Sequence, residues 1–254
     1  MSNKLIKNET SQSNNKKFTT KQNIIAIVIC ALILVIAVVI VVTRKDNDDD
    51  KDKSEAAKMN NGYSYIDVEV SDDESLSGKY YAEIKVAEYG DIVVVLDADT
   101  APISVTNFVK LVGEGFYDNL TFHRIIKGFM IQGGDPKHNG TGGSDETIVG
   151  EFKTNGIDND ISHKRGILSM ARSMENNSGS SQFFICHDDS PHLDGNYAGF
   201  GWVYGANGED EVAFETYMEV VDNICEEVPV TDNNGTVEFK NQPVITSIKM
   251  IEFN

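Results

Sequence analysis

Residues 122–136 read FHRIIKGFMIQGGDP, a stretch that places the charged side chain of Arg124 and the amide of Gln132 among apolar residues. Its apolar pattern predicts two short extended strands. The dipeptide Lys127-Gly128 predicts the turn between these strands, and Gly133-Gly134 predicts the end of the second one. The stretch therefore predicts a β-hairpin.

Polar side chains on this hairpin make it a candidate for function. Successive side chains of a strand point to opposite faces, so Phe122 is expected on the face of Arg124. By the same rule Met130 is expected on the face of Gln132. If the two strands pair, one surface carries a guanidinium, an amide and apolar side chains. In the alternative interpretation, Arg124 only points into water.

Length and charge limit the classes of protein. A chain of 254 residues, 40% of them hydrophobic, can bury a full core, which predicts one domain with appendages. The net charge of -18 argues against a nucleic-acid partner, because such a partner needs basic patches. Cys30, Cys186 and Cys225 lack the spacing of metal ligands, and packed thiols are favoured over a disulfide.

The amino-terminal part has the composition of a membrane anchor. Residues 1–23 form a basic tail with five lysines and a single acid, Glu9. Residues 24–42 carry no charge, and at about 1.5 Å per residue they match a bilayer core of roughly 30 Å. They predict one transmembrane helix. A cleavable signal peptide is the alternative, but its apolar run is usually about 7 to 15 residues, and residues 41–44 offer no small-residue cleavage site.

The residues after the predicted span suggest its orientation and a tether. Lysines are more numerous before the span than basic residues after it, which favours a single-pass cell-membrane protein with its globular domain extracytoplasmic. Residues 43–78 are acidic and are predicted to be a flexible linker. Within this linker, YSYIDVEV at 63–70 could add an edge strand. The aspartate run lacks the spacing of a calcium loop, so a solvated spacer is favoured over a calcium buffer.

Residues 79–254 are predicted to be the globular domain. One helix is expected from Pro102, with Asp99 or Thr100 as its cap, and a second over residues 218–226. Short strands are expected near residues 82–86, 91–96, 167–171, 182–186, 200–203 and 244–253. Many short strands with few helices indicate a mainly β barrel or sandwich with helices at its ends.

A second group of motifs lies in residues 166–201. The hairpin stretch FHRIIKGFMIQGGDP, followed in order by GxLSMA, SSQFFI and HLDGxxxxFG, resembles a cyclophilin-type peptidyl-prolyl cis/trans isomerase. The resemblance covers residues 79–254. It implies an eight-stranded antiparallel barrel capped by two helices, here preceded by the transmembrane helix.

The resemblance also implies a proline site on the outer face of the barrel. The family's catalytic arginine falls on Arg124, and Gln132 matches a glutamine that hydrogen-bonds the substrate or the arginine. The remaining matches form the substrate-binding set: Phe129, Met130, Ala171, Arg172, Gln182, Phe184, His192, Leu193 and Tyr197.

Three of these positions depart from the best-known members of the family. Many members carry Trp where this chain has His192, which implies weak cyclosporin binding because an indole donor is lost. Tyr197 stands where many have His, and Arg172 stands where Asn is common. The segment 204–216 is longer than the usual connection and is expected to bulge from the barrel.

An isomerase of this kind needs no nucleophile, because rotation about an X-Pro bond breaks only amide conjugation. Proline-containing segments of unfolded or flexible proteins are the expected partners, and a monomer is expected. A peptide-binding module or holdase without turnover is the alternative. The histidines lack metal spacing, and HDDSPH at 187–192 is interpreted as a turn, so neither a metal nor a cofactor is expected.

Overall fold

The computed structural model describes residues 62–71, 74–208 and 210–254. The predicted tail, the predicted transmembrane helix at 24–42, Cys30 and the first part of the predicted linker lie outside the described residues. Within the described part of the chain, no helix is both long enough and apolar enough to cross a membrane.

A single antiparallel sheet forms the body of the described structure. Its strands are β1 (Tyr63–Tyr65), β2 (Lys79–Val86), β3 (Gly90–Asp97), β4 (Arg124–Ile126), β5 (Met130–Gly133), β6 (Ile167–Met170), β7 (Phe183–Cys186), β8 (Gly199–Val203) and β9 (Ile245–Phe253). Their order across the sheet is β1-β9-β2-β3-β8-β6-β7-β5-β4. The mainly β class and the strands expected from the sequence are confirmed.

The prediction of an eight-stranded closed barrel is wrong in two respects. The sheet has nine described strands, because β1 adds to the edge of β9. The sheet is also not closed: β1 and β4 are its edge strands. The chain before β4 meets the start of β9 through an isolated bridge between Thr121 and Val244, and such a bridge does not extend the ladder of paired strands.

The strand β1 comes from the segment predicted as a linker. Tyr63 is buried, and its hydroxyl donates a hydrogen bond to the fully buried carboxylate of Glu83 on β2. The hydroxyl of Tyr65 donates to the other oxygen of the same carboxylate. The edge strand expected near 63–70 is therefore present, and the folded unit starts upstream of the predicted boundary at residue 79.

The first helix, α1 (Pro102–Gly113), begins at the residue that the sequence predicts. The predicted cap is wrong, since Ala101 occupies the cap position and neither Asp99 nor Thr100 caps the helix. The buried carboxylate of Glu151, which is distant in the sequence, caps the helix instead. It accepts hydrogen bonds from the backbone N–H of Ile103 at 2.9 Å and of Ser104 at 2.8 Å.

The second helix, α2 (Glu211–Glu227), is longer than the predicted 218–226. The segment 204–216, which was expected to bulge, contributes the first turns of this helix. Asp210 caps the helix by accepting a hydrogen bond from the backbone N–H of Ala213 at 3.0 Å. Upstream residues such as Phe214 pack on the core, so the apolar face extends beyond the predicted start.

Two of the three apolar clusters in the described part of the chain lie on opposite faces of the sheet. The larger cluster, under the helices, includes Ile131 and Ile185, whereas a smaller outer cluster includes their strand neighbours Met130 and Phe184. Phe122 belongs to the larger cluster, so the prediction that it shares the face of Arg124 is wrong. It precedes β4, where strict alternation of faces does not yet hold. The outer cluster positions the candidate site.

Candidate active site

The predicted hairpin is formed by β4 and β5. Arg124 and Gln132 are direct partners across the two strands. Gly128 occupies the turn with a positive φ of 78°, a conformation that glycine adopts without steric cost. Its backbone N–H donates to Nδ1 of His187 at 3.0 Å, which ties the turn to the end of β7.

The guanidinium of Arg124 is held in place across the face of the hairpin. Its Nε donates to the carbonyl oxygen of Asn234 at 2.8 Å, and its Nη1 donates to Oε1 of Gln132 at 3.1 Å. The same Nη1 lies 4.0 Å from the sulfur of Met130. The alternative in which this arginine only points into water is therefore wrong.

Burial lowers the pKa of Arg124 from its ordinary value, while Tyr197 and Asp232 act in the opposite direction. A guanidinium stays protonated at neutral pH even when its pKa is lowered, because its ordinary value lies far above neutrality. The site therefore contains a fixed, partly desolvated cation.

A chain of amides fixes the orientation of Gln132. Its Nε2 donates to Oε1 of Gln182 at 2.8 Å. The Nε2 of Gln182 donates in turn to the carbonyl oxygens of Gly142 at 2.7 Å and of Gly140 at 3.2 Å. Because Nε2 of Gln132 is turned to Gln182, Oε1 of Gln132 faces the guanidinium of Arg124.

The loop that receives these hydrogen bonds is built around Asp135. This fully buried carboxylate accepts backbone hydrogen bonds from Lys137 at 2.7 Å, Asn139 at 3.0 Å and Gly140 at 2.6 Å. Burial by itself raises the pKa of Asp135, but these backbone donors outweigh it and lower the pKa. A Cβ atom on Gly142 would overlap this carboxylate.

The sequence GGDPKHNGTGG at 133–143 lacks the Lys-Ser/Thr of a phosphate loop and predicts a surface loop beside the site, a prediction that misses the role of Asp135. The local signal was present in the sequence. An aspartate followed by an asparagine and several glycines, as here, is typical of a carboxylate that accepts backbone N–H groups in a turn.

An apolar shelf adjoins the cation. Met130, Phe184 and Leu193 are buried side by side in the outer cluster, and Phe129 packs against them half-exposed. The ring of Tyr197 stands edge-on to that of Phe184 at 6.0 Å. The structure thus brings together these four apolar members of the predicted substrate-binding set.

His192, at the position where an indole is common, lies beside the shelf. Its ring is 5.4 Å from the ring of Phe129 and tilted by 39°. The imidazole thus adds a flat surface beside the shelf, at the position where many members of the family carry a larger indole.

A second guanidinium, that of Arg172, borders the site. Its Nε donates to the carbonyl oxygen of Asn196 at 2.9 Å. Its guanidinium carbon lies 4.7 Å from the ring centre of Tyr197 and 4.9 Å from that of Phe152. The neighbouring Ala171 donates its backbone N–H to the carbonyl oxygen of Gln182 at 2.9 Å. Hydrogen bonds therefore hold both Ala171 and Arg172 in position at the border of the site.

Two cavities flank Gln132. One of about 750 Å³ extends past Arg124, and one of about 320 Å³ lies between Ala171 and Gln182. Arg172 lines both cavities. An extended peptide with its proline on the shelf would have open volume on either side of the amide chain.

Hydrolytic chemistry has no suitable nucleophile here. His163 lies 2.9 Å from both Oδ1 of Asp194 and Oγ of Ser169, the arrangement of a catalytic triad. Ser169, however, is fully buried in β6 and cannot meet a substrate. Among the described residues there is also no group of three His, Cys, Asp or Glu side chains that could hold a metal ion.

Comparison with known proteins places this geometry in a family. The profile of the family described as cyclophilin type peptidyl-prolyl cis-trans isomerase/CLD matches residues 81–250. A peptidyl-prolyl cis-trans isomerase of Helicobacter pylori is 45% identical over 136 residues, which cover 54% of this chain and 80% of that protein. Peptidyl-prolyl cis-trans isomerase B of Bacillus subtilis is 51% identical over 105 residues, 41% of this chain and 70% of that protein.

Solved structures agree with the sequence comparison. A crystal structure of a Cryptosporidium parvum cyclophilin type peptidyl-prolyl cis-trans isomerase has a TM-score of 0.55 and 30% identity, covering 68% of this chain and 98% of that one. A second crystal structure of that protein, determined in the presence of the dipeptide Ala-Pro, has a TM-score of 0.54 and 31% identity, covering 67% and 98%. The chain belongs to the family of cyclophilin type peptidyl-prolyl cis-trans isomerases.

Proposed function

We propose that this chain accelerates rotation about X-Pro bonds in unfolded or flexible proteins, with the proline ring on the shelf of Phe129, Met130, Phe184 and Leu193. The observation that carries the proposal is the guanidinium of Arg124, held at the edge of this shelf. The structural relative determined in the presence of Ala-Pro supports a proline-containing ligand.

The chemistry of rotation explains the need for a fixed cation. The barrier of about 18 to 20 kcal/mol arises from conjugation between the proline nitrogen and the carbonyl group. As the bond twists, the nitrogen regains a lone pair and becomes a hydrogen-bond acceptor. Arg124 can donate to that lone pair only in the twisted state, so its interaction favours the transition state over the planar ground states.

Preorganisation makes this hydrogen bond effective. Gln132 and Asn234 hold the guanidinium before the substrate binds, so it needs no reorganisation during rotation. The apolar shelf excludes water beside the twisting bond. Because competing water is removed, the hydrogen bond to the nitrogen is strengthened.

Arg124 supplies part of the catalysis. A charge-assisted hydrogen bond contributes roughly 1.5 to 3 kcal/mol, whereas an acceleration of about 10⁵-fold requires about 7 kcal/mol. Contacts that hold the flanking peptide in the twisted geometry must supply the remainder. Gln132, Gln182 and the backbone of Ala171 are placed to make these contacts.

A peptide-binding module or holdase that uses the same groove without turnover is the second candidate. It is favoured by the altered side chains of Arg172, His192 and Tyr197, which change the walls that meet the residues around proline. Weak cyclosporin binding is proposed on the same ground, because the imidazole of His192 rests on Phe129 in the place of an indole.

We also propose that the enzyme is a monomer anchored in the cell membrane by residues 24–42, with the domain extracytoplasmic at the end of an acidic tether. The support is the run of uncharged apolar residues and the preceding lysines. Digestion of intact cells with an added protease tests the orientation. Loss of the domain from intact cells supports it, and protection until the cells are lysed contradicts it.

A protease-coupled assay on a proline peptide, using the full chain, tests the isomerase proposal. The peptide should isomerise faster than its spontaneous rate at enzyme concentrations far below that of the peptide. If the peptide binds but its rate equals the spontaneous rate, the binding module is the correct function.

A further inference from the structure

The larger cavity beside Arg124 is bordered by cations in a strongly acidic protein. The chain carries 40 acidic residues and a net charge of -18. Arg124, Lys137 and Arg172 nevertheless all line this cavity, and among the described residues no Asp or Glu does. The local charge of the cavity is thus opposite to that of the chain.

These three cations are also unpaired, in contrast to other cations of the described domain. Arg165 pairs with Asp222, and Lys127 pairs with Glu226. Within the described ranges, none of the three cavity cations forms an ion pair with a carboxylate. A charge that lines a cavity without a counter-ion is available to an anionic ligand.

The two guanidinium groups keep donors available. Arg124 uses Nε and Nη1, and Arg172 uses Nε and Nη1, for bonds to the protein. The Nη2 groups of both residues have no protein acceptor in the described part of the chain. A planar fork of this kind suits a carboxylate.

The nearby acids are engaged elsewhere. Asp135 lies buried beneath the loop, where it accepts backbone hydrogen bonds. Asp232 acts to raise the pKa of Arg124. Its carboxylate accepts backbone hydrogen bonds from Asn234 at 2.9 Å and from Thr236 at 3.1 Å. Neither carboxylate lines the cavity, so neither neutralises it by contact.

An unpartnered buried group also faces this cavity. His123 is 4% exposed and lines the cavity, and both of its ring nitrogens lack a hydrogen-bond partner in the structure. The exposed ring of Phe239 stands at the same cavity. The lining thus combines unused donors with an aromatic surface, as a site for a peptide side chain requires.

We propose that this cavity selects substrates with an acidic residue, Asp or Glu, within two residues of the proline, and that Arg172 is the residue that determines this preference. The inference rests on the proposed isomerase function and names the substrate class of the same site. Arg172 is singled out because it lines both cavities that flank Gln132.

Matched peptides with neutral blocked ends test the proposal. Each pair carries Glu or Gln at one of the two positions before or after proline, and kcat/KM is measured with the full chain against the spontaneous rate of each peptide. For at least one position, Glu should be preferred by about 1.5- to fivefold, the range expected of a partly solvated ion pair. The preference should shrink at high salt, because salt screens the charges.

Substitutions of the cavity cations identify the residues that are responsible for the preference for Glu peptides. Arg172→Gln should abolish most of it, and Lys137→Gln should reduce it, whereas Lys164→Gln removes an equal charge outside the cavity and should leave it unchanged. Equal use of the Glu and Gln peptides at every position by the wild type would overturn the proposal while leaving the isomerase function intact.

Loss of activity on all peptides would instead contradict the proposed function. The charge preference is then decided by direct titration of the same peptides. Tighter binding of a Glu peptide that is lost in Arg172→Gln supports an acidic ligand, and equal affinities overturn it.

Discussion

Replacing Arg124 by alanine removes the cation that is proposed to meet the twisting proline nitrogen. The lost interaction is one charge-assisted hydrogen bond, worth roughly 1.5 to 3 kcal/mol. At about 1.4 kcal/mol for each factor of ten, kcat/KM should fall by about tenfold to 150-fold. Some acceleration should survive, since the shelf and the amide chain remain.

The fold should tolerate this change. The side chain of Arg124 is only half-buried and lies outside the larger apolar cluster. Its partners, the carbonyl of Asn234 and Oε1 of Gln132, can be rehydrated when it is removed. The free energy of unfolding should therefore change by less than about 1 kcal/mol.

Two further variants sharpen the test. Arg124→Lys keeps a charge but loses the two-pronged hold on Asn234 and Gln132, so it should recover little of the lost rate. Lys164→Ala removes an exposed cation away from the site and should behave like the wild type. A protease-coupled assay supplies kcat/KM, and urea denaturation supplies stability. Wild-type kcat/KM in a folded Arg124→Ala protein would refute the role given to the guanidinium.

Three other predictions concern stability. Burial lowers the pKa of His123 to about 4, below the ordinary value of about 6.5. Between these two pH values the unfolded chain therefore binds a proton that the folded chain does not. Stability should therefore fall by about 3 kcal/mol between neutral pH and pH 4 on account of this group, and His123→Phe should flatten that part of a urea-denaturation pH profile. Glu151→Ala should cost about 3 kcal/mol in the same urea assay at neutral pH, because it removes the acceptor for the first turn of α1. Tyr63→Phe should cost about 1 to 3 kcal/mol by thermal or urea unfolding, since it takes a donor from the buried carboxylate of Glu83.

Each of these three stability predictions would be contradicted by a specific result. An unchanged pH profile in His123→Phe would show that this imidazole titrates normally in the folded state. A Glu151→Ala protein as stable as wild type would mean that α1 needs no remote cap. Wild-type stability of Tyr63→Phe would indicate that β1 adds nothing to the domain.

The hairpin could be predicted because its signals are local. The turn dipeptide and the alternating apolar residues of 122–136 fix two strands and bring Arg124 opposite Gln132. The first helix was equally clear, because Pro102 and an apolar face mark it within one segment. The assignment of roles in the site came from the resemblance, since spacing alone does not separate a catalytic arginine from an exposed one.

The features that the sequence did not reveal depend on distant partners. Glu151 caps the first helix by accepting from Ile103, 48 positions earlier in the chain, and no local pattern links the two. The strand β1 is short and is followed by acidic residues, so it becomes a strand only because β9 offers an edge and Glu83 accepts from Tyr63. The inward position of Phe122 results from the packing of its ring near that of Phe183, at 6.1 Å.

The most direct test of turnover at this site is NMR exchange spectroscopy on a proline peptide in large excess over the full chain, with no auxiliary protease present. Exchange cross-peaks should appear between the cis and trans resonances with the wild type and weaken strongly with Arg124→Ala. Line broadening from binding without any cis–trans cross-peak in the wild type would contradict catalysis by this chain.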